Sequence, residues 1–178
     1  MAKQFSHIEP DHRDFIERQH IFFIGTAGAD GFVNVSPKGM DSFRVVDNRR
    51  VAWLNLTGSG NESAAHVREH PRMTAMFCSF DEQPLILRLY GTAKTLHPRD
   101  AGFAELAQHF PTYAGRRQIF DMAIDGVQTS CGTGVPMMAS NLTREFFQAG
   151  MQMLGPKASC DDVIKVLERN AGISFTDD

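Results

Sequence analysis

Between residues 20 and 131 the chain alternates short runs of β-branched and aromatic residues with spacers that mostly leave room only for a reversal of direction. Residues 20–27 (His-Ile-Phe-Phe-Ile-Gly-Thr-Ala) give way to a turn at 28–31 and resume as a strand at 32–36. The runs 42–47 and 50–56 are separated by Asn48 and Arg49, and the runs 72–80 and 85–97 by residues 81–84. A further strand is expected at 118–131. Parallel neighbours need crossovers of a dozen or more residues, so these six or seven strands predict an antiparallel sheet. Sheets of this size remove their edges by closing, which favours a barrel.

Helices are expected around this sheet. Asp11 can cap one near the start. Ser59 and Glu62 have capping-box spacing before a helix at 61–70, which Pro71 stops. Pro98 and Asp100 open another that ends near Phe110. Two more are read at 143–150 and 159–170. The class is therefore mainly β with flanking helices (α+β), as one domain with a helical extension over about 139–178.

Several strands are apolar on both faces. Met73, Ala75 and Phe77 share one side, while Thr74, Met76, Cys78 and Phe80 share the other. A small barrel buries only its interior, so the outer face calls for helices or a second subunit. The chain's 14 Phe and nine Met suit an interface. A homodimer is the expectation, with cover by the chain's own terminal helices as the alternative.

With 42% hydrophobic residues and a net charge of −3, neither disorder nor nucleic-acid binding by bulk positive charge is supported. The three cysteines are too dispersed for a disulfide scaffold or a closed zinc site. His66 and His70 are four apart, but Val67 stands where a metalloprotease helix carries its glutamate. No apolar run has the length of a membrane-spanning helix, and the first residues do not read as a signal peptide. The expected setting is the cytoplasm.

Chemistry concentrates in two segments, Asn34-Val-Ser-Pro-Lys-Gly39 through Arg44, and Asn55-Leu-Thr-Gly-Ser-Gly-Asn61. Lys38 and Arg44 lie at or near strand ends. Gly58 and Gly60 flank Ser59 just before a helix N-terminus, which presents free amides and partial positive charge. Such parts can cradle a phosphate, although the spacing is neither a P-loop nor a dinucleotide fingerprint. A Ser-capped helix with two solvated cations explains the same residues.

These segments, with the blocks Phe43-Arg-Val-Val-Asp, Val51-Ala-Trp-Leu-Asn, Arg72-Met-Thr-Ala-Met-Phe, Leu87-Arg-Leu-Tyr-Gly and Val127-Gln-Thr-Ser-Cys-Gly, resemble the pyridoxamine 5′-phosphate oxidase-related proteins over about residues 12–138. The resemblance implies a split β-barrel that binds flavin mononucleotide (FMN) at the interface of a homodimer. It places Arg44 and Lys38 as cations for the flavin phosphate, Asn55 near the ring or ribityl chain, and Ser59 on the phosphate. Gly60 and Asn61 stand where the oxidases proper often carry arginine and lysine, which removes two charges and leaves more to the helix terminus, Ser59 and Asn61. Gln128 and Ser130 are candidates for contacts from the other subunit. The oxidases proper end in an Arg-Leu-Xaa-Pro tail, whereas this sequence ends Ala171-Gly-Ile-Ser-Phe-Thr-Asp-Asp178; oxidation of pyridoxamine phosphate is therefore not expected.

The function this implies is an FMN-dependent oxidoreductase acting on a small molecule, with no side chain singled out as acid or base. The alternative is a non-catalytic protein holding flavin, deazaflavin or haem for storage, sensing or transfer. A third reading is a structural homodimer with an empty cleft.

Overall fold

The computed structural model describes residues 2–136 apart from Ser59 and Glu82. The helices expected at 143–150 and 159–170, and the extension at 139–178, lie outside the described residues. Along the chain run β1 (Lys3–Phe5), α1 (Pro10–Glu17), β2 (Phe22–Thr26), β3 (Asn34–Lys38), β4 (Phe43–Asp47), β5 (Arg50–Leu56), α2 (Asn61–Glu69), β6 (Arg72–Cys78), β7 (Leu85–Leu96), α3 (Phe103–Ala107) and β8 (Arg116–Cys131).

All eight strands belong to one antiparallel sheet in the order β3-β2-β6-β7-β8-β5-β4, with β1 added against β8. The seven expected strands are present, and the eighth, β1, was not foreseen. The sheet curls until its two ends meet through side chains. Phe22 of β2 packs on Phe43 of β4 at 5.0 Å between ring centroids, and Lys38 of β3 lies 5.4 Å from the Trp53 ring of β5. No ladder joins β3 to β4, so the barrel is split along that seam.

Two apolar clusters follow from strand parity. Phe22, Ile24, Trp53, Ala75, Phe77, Leu87, Leu89, Phe120 and Met122 fill the interior. On the outside of β5 and β8, Ala52, Leu54 and Ile119 are covered by Phe103, Leu106 and Phe110. A segment of the chain itself thus covers that part of the outer face. The outer side of β6 differs: Thr74 and Met76 are only half-buried, and Tyr90 beside them on β7 is 38% exposed.

Two helix starts depart from expectation. Glu9, rather than Asp11, caps α1: its side chain takes the His12 backbone N–H while its own N–H donates to His12 Nδ1 at 3.2 Å. The helix read from Pro98 shrinks to α3, because Asp100 Oδ2 accepts from the His97 N–H at 2.8 Å and Gly102 adopts a left-handed φ of 86°.

His12 is buried against Phe5, and burial is the main reason its pKa falls below the ordinary 6.5, with Glu9 and Asp11 opposing in part. The unfolded chain therefore takes up this proton first. Stability from this site is present above about pH 6.5 and is lost as pH falls through that value towards the lower folded pKa. Urea midpoints are expected to drop between pH 7.5 and 5.5, and to drop less in His12→Gln.

Candidate functional site

Strands β3 and β5 carry the central groups to one end of the barrel. Lys38 is the last residue of β3, facing inward opposite Phe22. Its ammonium sits above Trp53, which stacks on Phe120 at 4.4 Å and 10° between planes. Burial lowers the Lys38 pKa from its usual value. Two residues beyond Trp53 on the same face, Asn55 is 5% exposed. These residues share a pocket of about 250 Å³ with Gly58 and Gly60.

The helix entry is built around glycine. Gly60 is the N-cap of α2, and its first intrahelical bond is donated by the Ala64 N–H to the Gly60 carbonyl at 3.3 Å. The amides of Asn61, Glu62 and Ser63 precede that bond, as at any helix start. With Gly60 as N-cap, Glu62 falls at the second helical position rather than at the third, where a capping box has its glutamate. Ser59 itself lies outside the described residues. A Cβ at position 60 would collide with the Asn55 side-chain amide, which is the local reason glycine stands there. Asn61, the first residue of α2, is exposed.

A hydrogen-bond chain fixes this helix against the barrel. Asn34 Nδ2 donates to Ser63 Oγ at 2.9 Å and to Thr26 Oγ1 at 3.3 Å, and Thr26 Oγ1 bonds His66 Nδ1 at 3.2 Å. His66, considered above as a metal ligand, thus has a structural partner.

Arg44 stands elsewhere. It pairs across the ladder with Ala52, so its side chain projects from the outer face of β4 rather than into the pocket. Its guanidinium lies 5.2 Å from the Phe110 ring, takes both carboxylate oxygens of Asp41 at 2.6 and 2.9 Å, and donates to the His109 carbonyl at 2.7 Å. These bonds hold the Asp41 carboxyl below the usual carboxylate range. They also fix a strained turn, since Met40 and Asp41 both have positive φ, 62° and 53°. Arg44 therefore braces the loop that follows Lys38.

Gln128 and Ser130 lie on the outer face of β8, bonded to Tyr90 and Arg88 at 3.1 and 3.3 Å. The structure thus brings Lys38, Asn55 and Gly60 together and leaves Arg44, Gln128 and Ser130 apart from them. Sequence reasoning missed Gln118, the cross-strand neighbour of Asn55, which is 1% exposed. Nothing in the sequence pattern marks it, since β8 also carries Asp121, Asp125, Gln128 and Thr129, and its burial shows only in the fold.

Asn55 Nδ2 is buried with no hydrogen-bond partner among the described residues. An unpaired amide N–H, an ammonium group and a helix N-terminus around one pocket are all suited to an anionic group. No helix among the described residues is long and apolar enough to cross a membrane.

Residues 8–131 match the pyridoxamine 5′-phosphate oxidase family profile. The pyridoxamine 5′-phosphate oxidase family protein ustO of Aspergillus flavus is 42% identical over 132 residues, 71% of this chain and 53% of that protein, so the chain spans about half the length of this curated relative. Among solved structures, HupZ of Group A Streptococcus is similar with a TM-score of 0.57 and 20% identity, covering 69% of this chain and 99% of that one. A Clostridium acetobutylicum protein of the pyridoxinephosphate oxidase family, related to general stress protein 26, gives 0.53 and 14% over 68% and 86%. A FAD-binding protein of Mesorhizobium loti gives 0.51 and 12% over 73% and 99%. These structures share the fold, and the profile match, spanning most of the barrel, places this chain in the pyridoxamine 5′-phosphate oxidase family.

Proposed function

We propose that the chain binds FMN in the pocket between the end of β3 and the start of α2, and works as an oxidoreductase on a small organic molecule. The observation that carries this reading is the convergence of Lys38, the unpartnered Asn55 amide and the open end of α2 in one pocket of a family barrel. The FAD-binding protein with the same fold supports a flavin as the ligand.

In this reading Lys38, the α2 amides, Ser59 and Asn61 hold the phosphate, while Asn55 donates to the cofactor beside it. Gly60 lets the backbone approach closely. Bound flavin supplies the redox chemistry, and the protein supplies position and electrostatics. The Lys38 ammonium stands over the Trp53 ring, which lines the same pocket. Arg44 reaches the pocket only by leaving Asp41, so its share is the shape of the turn. The functional unit is a homodimer, with Gln128 and Ser130 on the outer face meeting the partner's flavin.

Flavin fluorescence titration tests the cradle. Lys38→Ala is expected to weaken FMN by about 10- to 100-fold, the loss of one hydrogen bond to a charged group. It should leave riboflavin, which lacks the phosphate, nearly unchanged, and Arg44→Ala should weaken FMN less. Equal losses for FMN and riboflavin would remove the phosphate from this corner. Sedimentation of the loaded protein showing only a 19.8 kDa species would end the dimer.

A further inference from the structure

A second cavity, of about 640 Å³, lies between α2 and the far end of β7. It is lined by Ala64, Arg68 and Glu69 of α2, by Thr95 near the end of β7 and His97 just after it, and by Gln118 of β8. It shares no lining residue with the pocket around Lys38. The two spaces divide at one cross-strand pair: Asn55 lines the first and Gln118 the second. We propose that this second cavity is a binding site for the carboxylate of a small organic monoanion.

Gln118 carries the argument. It is 1% exposed, and its Nε2 is buried with no hydrogen-bond partner among the described residues. Native structures seldom leave such a donor unpaired, and a ligand or an ordered water is what ordinarily receives it. The cavity supplies the complement. Arg68 is exposed and forms no salt bridge among the described residues, which leaves its planar fork free for a carboxylate. The half-buried Thr95 adds a hydroxyl donor, and the Ala64 methyl adds an apolar shoulder for the body of the ligand.

Glu69 sets the charge that fits. Its side chain lines the same cavity as Arg68 and Gln118. A dianion would meet that negative charge, whereas a single carboxylate can sit between Arg68 and Gln118. The site does not depend on flavin, so its test is run without it.

Benzoate is titrated into the 15N-labelled protein while backbone amide resonances are followed, with benzamide as the uncharged isostere. Saturable movement at Arg68, Thr95 and Gln118 is expected with benzoate and not with benzamide. Arg68→Ala, at an exposed position, should weaken benzoate about tenfold or more, as for a lost charge-assisted pair. Lys38→Ala, which alters only the other pocket, should leave benzoate within about twofold, well below the effect of losing one hydrogen bond. No saturation, an equal response to benzamide, or unchanged affinity in Arg68→Ala would overturn the site.

Discussion

Replacing Gly91 with alanine is expected to cost about 3 kcal/mol or more, lowering the thermal midpoint by roughly 6–12 °C for a chain of this size. The reason is backbone against backbone. A Cβ at position 91 would overlap the Ala123 carbonyl oxygen, which is fixed in the β7–β8 ladder and cannot rotate away as a side chain would. The close approach is set by a bulge on β8: Tyr90 pairs with Gly126 and Gly91 with Ile124, leaving Asp125 as the extra residue. Gly126→Ala is the internal control. A Cβ there would make an ordinary contact, 3.9 Å from the Phe5 carbonyl, so its midpoint should stay close to wild type. Similar midpoints for the two variants would show that the bulge does not force the chains together.

Phe120→Ala should be of the same order, about 3–5 kcal/mol. The ring is 1% exposed and stacks in parallel on Trp53, so truncation leaves a cavity lined by an indole and by rigid strand neighbours that cannot collapse into it. Phe120→Leu, which keeps most of the volume, should cost no more than about 1.5 kcal/mol. Urea unfolding gives both numbers. Near-ultraviolet dichroism should report the lost ring pair in each, because Leu restores the volume without the stack. Since Trp53 also supports Lys38, the alanine variant is expected to weaken FMN as well.

The strands were legible because each depends on local information: a period of two, β-branched and aromatic residues, and short turns. β1 was not, because Lys-Gln-Phe carries no apolar pattern and becomes a strand only by pairing with Gln128 and its neighbours on β8. The helix read from Pro98 was overestimated because Asp100 and Gly102 each satisfy a turn at least as well as a helix start.

The candidate site was legible as residue types more than as geometry. Lys38, Asn55 and Gly60 were singled out and do meet. Arg44 is near them along the chain and carries the right charge, but strand parity sends it to the outer face. Phe43 and Val45 face the interior, so the residue between them faces outward, and that pattern was present in the sequence. Gln118 could not be valued from the sequence, since its meaning comes from burial and from its neighbour across the ladder.

Trp53 is the chain's only tryptophan, and it sits in the pocket wall with a cation near its ring. The colour of indole emission responds to nearby charge through the electric field across the ring. An anion arriving at Lys38 changes that field. The protein therefore carries its own optical gauge of occupancy, readable without a dye and unconfused by a second emitter of the same kind.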